Sequence, residues 1–179
     1  QSSGATPNAF FSASENGTLA YQTGTATGDS RLLWLDGSGK QIGALGEAAS
    51  YFGVALSPDG KRVSVSILEK NNRDIWIYDV ARGLKSRLTF DPATETDAIW
   101  SPDGSRLIFN SNRKGRYDLY QRATDGSGTD ELLYEDASPK YPMSWSADGR
   151  FILYSTGTAA TGATGADVFA LPLSGDPSA

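Results

Sequence analysis

Apolar residues recur along this chain in short runs at strand spacing, with no stretch at helical spacing. Val63, Val65 and Ile67 mark every second position of one segment, as do Leu107 and Phe109, Ile152 and Tyr154, and Leu19 and Tyr21. Period two places side chains on one face of an extended chain. A second type of run is apolar at both parities: Leu32 to Leu35, Ile75 to Tyr78, Leu119-Tyr120 and Val168-Phe169. Such runs predict strands covered on both faces. Shorter apolar pieces, Phe10-Phe11, Val54 to Leu56, Ala98 to Trp100 and Met143 to Trp145, precede the period-two segments. Between the two lies a polar punctuation mark of constant form.

That mark is Ser57-Pro58-Asp59-Gly60, which returns as Ser101-Pro102-Asp103-Gly104, as Ser146-Ala147-Asp148-Gly149, and more loosely as Ser14-Glu15-Asn16-Gly17. Its glycines are separated by 43, 44 and 45 residues. An Asp-Gly or Asn-Gly pair supplies the positive φ of a tight hairpin turn. After each copy come the period-two strand and then a two-sided strand; a further turn, such as Asp36-Gly37-Ser38-Gly39 or Asp125-Gly126-Ser127-Gly128, leads to a last apolar segment around Leu45, Leu88 or Leu132 in the first three. Four antiparallel strands repeated at this period predict an all-β chain, a β-propeller of four blades over 9–46, 53–90, 97–135 and 142–179. Inner strands are expected near 9–13, 53–57, 97–101 and 142–146. A sandwich of hairpins is the competing reading. From the third strand to the middle of the fourth the step is 14 residues, as from Asp118 to Leu132. Taken from Asp167 it passes the last residue, so the fourth blade is expected to lack its outer strand. The polar stretch Gln1 to Asn8 is a poor replacement, and closure by further blades or by a second copy in a homodimer is expected.

The Ser-Pro-Asp-Gly turn, preceded by Trp100 and followed by Ser111-Asn112-Arg113-Lys114-Gly115 and Asp118-Leu119-Tyr120, resembles the TolB-type, WD-repeat-like propeller blade, and Thr89-Phe90-Asp91-Pro92 fits the same pattern. The run from Leu32 to Pro172 is similar to propeller regions appended to bacterial serine/threonine protein kinases. The resemblance implies six or more blades in the complete propeller, a role in binding, and a place outside the cytoplasm, periplasmic or at the cell surface. No kinase motif occurs, so kinase activity is not carried over.

Composition narrows the chemistry. The 179 residues contain no histidine and no cysteine. Histidine-based triads, thiol nucleophiles, disulfides and His- or Cys-ligated metals are therefore excluded within this chain. The absence of cysteine is compatible with an oxidising compartment. Net charge is −5, which argues against nucleic acid as the partner. Membrane insertion is not expected, since no apolar run nears the length of a membrane-spanning helix. The chain opens at Gln1 with no basic-then-apolar leader, so any targeting segment is expected outside it.

In a propeller, the loops joining second to third strands and the links between blades share one face. The first set is 23–30, 69–73, 110–116 and 156–166; the second is 47–52, 91–97 and 136–141. Loops on a rigid scaffold are where binding concentrates. Tyr51, Phe52 and Tyr141 are aromatic candidates in the links, with Lys140 beside Tyr141. Arg73 and Arg113 each follow an asparagine and offer guanidinium forks to an acidic peptide or a sugar acid, or else tie neighbouring blades together. Asp91, Glu95 and Asp97 place three carboxylates within seven residues. If they converge, calcium or magnesium is their natural counter-ion; otherwise they cap turns and pair with the arginines, and no Asp-x-Asp-x-Asp-Gly spacing is present. Asn16-Gly17-Thr18 matches a glycosylation sequon but coincides with the turn. The expected function is a noncatalytic binding or sensory module for a protein, a peptide or a saccharide. The alternative is a propeller fragment of a larger enzyme, prolyl-oligopeptidase-like or carbohydrate-active.

Overall fold

The computed structural model describes residues 11–13, 19–23, 29–157 and 167–173. Those residues form fifteen strands and no helix, grouped in four antiparallel sheets. The first sheet holds β1 (Phe11–Ala13), β2 (Leu19–Thr23), β3 (Ser30–Leu35) and β4 (Gln41–Ala49). The second holds β5 (Tyr51–Leu56), β6 (Arg62–Glu69), β7 (Asn72–Asp79) and β8 (Leu84–Arg87). In the third are β9 (Glu95–Trp100), β10 (Arg106–Ser111), β11 (Asp118–Ala123) and β12 (Glu131–Tyr134). The fourth has three described strands, β13 (Tyr141–Trp145), β14 (Phe151–Ser155) and β15 (Val168–Pro172). Every sheet is a meander of consecutive strands, and the innermost strands lie in sequence order, β1 beside β5, β5 beside β9 and β9 beside β13. This is a run of propeller blades. The expected turn at 14–17 with its sequon, the stretch 1–8 and most of the loop 156–166 lie outside the described residues.

Local hydrogen bonding explains why the turn motif recurs. Ser57 Oγ donates to Asp59 Oδ1 at 2.6 Å and accepts from the Arg62 backbone N–H at 2.9 Å, while Gly60 N–H donates to the Ser57 carbonyl. The same three bonds form at Ser101 and at Ser146. Gly60, Gly104 and Gly149 all have φ between 70° and 76°, where a side chain is disfavoured.

The core is split into three layers, one in each seam between blades. Leu32 and Leu45 meet Tyr51, Leu56, Val63, Val65, Ile67 and Tyr78 in the first. Ile75, Ile77 and Leu88 meet Trp100, Leu107, Phe109 and Tyr120 in the second. Ile108 and Leu119 meet Ile152 and Tyr154 in the third. Each middle blade thus buries both faces, as its two-sided strands require.

Two expectations about boundaries are corrected. The inner strands begin earlier than expected, at Tyr51, Glu95 and Tyr141. The expected link 47–52 is almost wholly strand, with only Ser50 between β4 and β5. The cause is a bulge in each of β5, β9 and β13, which lets pairing resume beyond the irregularity. Register shifts fall between Phe52 and Val54, Thr96 and Ile99, and Pro142 and Ser144 in their pairings with the next strand.

Candidate functional site

The bulges determine what faces the end of the inner strands where the chain passes from blade to blade. Gly53, Asp97 and Pro142 occupy the same repeat position. Gly53 has φ of 63°, and Asp97 adopts the same left-handed conformation at 53°. An aspartate in a place where its counterpart is glycine holds backbone strain, and such strain clusters at functional sites. The Asp97 carboxylate accepts from Asn110 Nδ2 at 3.2 Å. Burial pushes its pKa up, against the opposing pull of Asn110 and the Arg73 charge.

Arg73 stands on the preceding blade, at the start of β7. Its guanidinium lies 3.6 Å from the centroid of the Phe52 ring. Its Nε is buried without a hydrogen-bond partner. Burial lowers its pKa, with Tyr117 and Asp97 acting in the other direction. A stacked, desolvated guanidinium of this kind retains unused donors in a fixed fork. Across from it, Tyr117 and Tyr141 have ring centroids 5.7 Å apart. Burial pushes the Tyr141 phenol up, helped by Tyr117 and Asp97. Asn110, fully buried, joins the group to the fourth blade by donating to the Lys140 carbonyl, and its own Oδ1 has no partner. The result is a half-buried patch of Phe52, Arg73, Asp97, Tyr117 and Tyr141.

The remaining candidates belong to the scaffold. Tyr51 is only 2% exposed, donates its hydroxyl to the Glu47 carbonyl and meets the Tyr78 hydroxyl at 2.9 Å. Lys140 is fully buried, with its ammonium 2.8 Å from Asp136, 2.7 Å from the Ser138 carbonyl and 3.5 Å from Asp118. Glu95 is fully buried, accepting from Ser111 Oγ at 2.8 Å and facing Arg113 Nη2 at 3.3 Å. These three were expected on the loop face; strand pairing at the blade crossings draws them inward.

Asp91, Glu95 and Asp97 do not converge. Asp91 and Glu95 face Arg113, at 3.7 and 3.3 Å, while Asp97 faces Asn110 and Arg73. Among the described residues no group of three or more carboxylates is placed to hold a metal ion. Burial works against the Arg113 charge, and Asp130, Asp91 and Glu95 more than offset it. Arg113 donates to Asp130 at 2.7 Å, so it ties the link between blades to the outer part of the third sheet.

Arg73 and Arg113 are not structural equivalents. Asp74 and Asp118 are, since each pairs with the corresponding residue of the preceding strand, Ile67 and Ser111. The residue matching Arg73 is therefore Tyr117. Sequence reasoning missed Tyr117 and Asn110. Counting back one place from the strand-three aspartates would have found Tyr117.

A family model, the TolB beta propeller domain, matches residues 12–168. The Tol-Pal system protein TolB of Wolinella succinogenes is 29% identical over 101 residues, covering 56% of this chain and 24% of that protein. The uncharacterised peptidase YuxL of Bacillus subtilis is 34% identical over 104 residues, covering 54% of this chain and 16% of that one. Among solved structures, TolB from Acinetobacter baumannii superposes with a TM-score of 0.73 at 22% identity, over 92% of this chain and 40% of its own. The chain thus spans well under half the length of each. With the repeat, the meanders and the glycine turns already in place, the match over residues 12–168 fixes the assignment: the chain belongs to the TolB beta propeller domain family.

Proposed function

We propose that this chain is a noncatalytic binding module whose patch at the mouth of the inner strands holds a protein or peptide partner outside the cytoplasm. One observation carries the reading: the Arg73 guanidinium, stacked on Phe52 with a buried, unpartnered Nε, within electrostatic reach of Asp97, whose backbone is held left-handed. A guanidinium and a carboxylate on one patch, bordered by two phenols, match the carbonyls, amides and terminal carboxylate of a peptide. They offer no activated nucleophile, and the chain has no histidine or cysteine to make one. Relatives named as Tol-Pal system proteins support a role in a protein assembly. A panned library of displayed peptides tests this. Selected peptides should lose binding to Arg73→Ala and to Asp97→Gly, and the glycine variant should be at least as stable as the parent because it removes the left-handed aspartate. Peptides that bind both variants as well as they bind the parent would remove the patch from consideration.

A second reading rests on the likeness to YuxL, named as a peptidase. In this reading the propeller of the full-length protein accompanies a catalytic unit, and the same patch contacts the substrate chain. The full-length protein decides between them: peptide hydrolysis that is sensitive to Arg73→Ala supports this second reading.

A further inference from the structure

We propose that the cleft between the third and fourth blades, at the end opposite the Arg73 patch, receives an arginine side chain from a partner polypeptide. The protein contains its own template for this in the preceding seam. Between the second and third blades, the Arg62 guanidinium lies 4.7 Å from the centroid of the Trp100 ring. It donates to the Gly104 carbonyl at 2.7 Å and to Thr124 Oγ1 at 2.9 Å. The space above Gly104 is occupied, since a Cβ there would meet Arg62 Nη2 at 3.2 Å.

One blade on, the same residues recur without the guest, with the indole turned: Trp100 Nε1 donates across the seam to the Ala55 carbonyl, whereas Trp145 Nε1 donates to the Gly149 carbonyl. Trp145 and Gly149 match Trp100 and Gly104 in the repeat, and nothing lies within 4 Å of a Cβ built on Gly149. Arg106 is the counterpart of Arg62, yet it donates to Gln121 of its own blade at 3.1 Å. The reason is a lost acceptor. Leu173 N–H donates to the Arg150 carbonyl as Thr124 N–H does to the Ser105 carbonyl, so Leu173 stands where Thr124 supplies its hydroxyl. A cleft of about 480 Å3 remains, lined by Trp145, Gly149, Asp103, Asp148, Leu133 and Leu173 among others.

The chemistry of that lining matches an arginine. The Trp145 face suits a planar cation. The Gly149 carbonyl already accepts from the Trp145 indole N–H at 3.2 Å and has a second lone pair to offer. Leu133 and Leu173 give an apolar wall to a methylene stem. Asp103 and Asp148 supply negative charge that outweighs Arg106 at the rim. Both stay ionised near neutrality: the Ser101 hydroxyl and the Ser105 N–H hold Asp103 down at about 2, and Ser146 and the Arg150 N–H lower Asp148.

Titration of the full chain with the blocked tripeptide acetyl-Ala-Arg-Ala-amide, followed at the Trp145 indole N–H by NMR, tests the proposal. The expected result is a saturable shift, with the citrulline and lysine tripeptides weaker by about ten-fold. Asp148→Asn, which keeps the turn's acceptor oxygen, should weaken the arginine peptide about five-fold as measured on the folded protein. Leu173→Thr restores the missing hydroxyl, and should let Arg106 swing across Trp145 and abolish peptide binding. No saturable shift by about 10 mM peptide, a range already weaker than ordinary recognition, overturns the proposal. So does equal binding of the three peptides, or an affinity indifferent to both Asp148→Asn and Leu173→Thr.

Discussion

Gly60 and Gly104 have the same φ, 70°, in the same turn, yet their surroundings differ. A Cβ on Gly60 meets nothing within 4 Å, whereas one on Gly104 crowds Arg62 at 3.2 Å. Alanine at Gly60 should cost about 1 kcal/mol through backbone strain alone. Alanine at Gly104 should cost about 2 kcal/mol, because Arg62 must also retreat from the Gly104 carbonyl. Denaturant midpoints of the two variants check this, and equal costs would show that Arg62 gives way freely. Glu95 makes a second prediction at this scale. Burial raises its carboxyl from 4.5 to about 7 in the folded protein. The fold therefore binds this proton more tightly than the unfolded chain does, which favours folding at low pH and loses that contribution as pH rises toward 7. The contribution is on the order of 3 kcal/mol. Glu95→Gln should flatten the fall in stability across this window and be the more stable form above it. Urea melts of both proteins over the range read this directly, and parallel curves would contradict it.

Loop length is where the elements depart from strict repetition. Lys70 and Asn71 alone connect β6 to β7, with φ of 49° and 67°. Positive φ at both central residues is the twist-matched two-residue hairpin, which favours Asn-Gly. Lysine in the left-handed region costs on the order of 1 kcal/mol. Replacing Lys70-Asn71 with Asn-Gly should raise stability by about that amount, measured as a higher melting temperature with the patch residues unmoved. In the next blade, 112–117 joins β10 to β11 instead. That difference explains which parts of the molecule were legible in the sequence. Turns and strands were, because Ser57, Asp59 and Gly60 satisfy one another's hydrogen bonds locally and carry the same chemistry wherever they recur. The patch was legible only in part. Phe52, Arg73, Asp97 and Tyr141 were recognised as candidates, but Arg113 was aligned with Arg73 because both follow an asparagine. The longer loop moves Arg113 onto Asp130 and brings Tyr117 into the equivalent place. The inward positions of Tyr51, Glu95 and Lys140 depend on bulge register, which single-sequence alternation does not encode.

Among the described residues, no further blade packs on the outer face of the fourth. Leu153 and Val168 occupy the repeat positions of Ile108 and Leu119, which the following blade covers completely, yet they are 41% and 56% exposed. Leu32, Ile152 and Tyr154 are buried in the seams, whereas Phe169 is 43% exposed and stacks on Tyr154. The other long edge of β15 is unpaired among the described residues, a template for a further strand. A face of this kind is expected to be covered, by a second copy or by more blades. Light scattering on the purified chain should give a mass at least twice that of one copy, and Leu153→Glu should reduce it. A single-copy mass that the substitution leaves unchanged would show that the face tolerates water. The meander topology has a consequence of its own. Every described sheet pairing joins strands that are neighbours in sequence, so no strand has to wait for a distant segment before finding its partner. Such a chain can fold in the order in which it emerges, from a ribosome or from a narrow passage, each blade offering a finished face on which the next can settle.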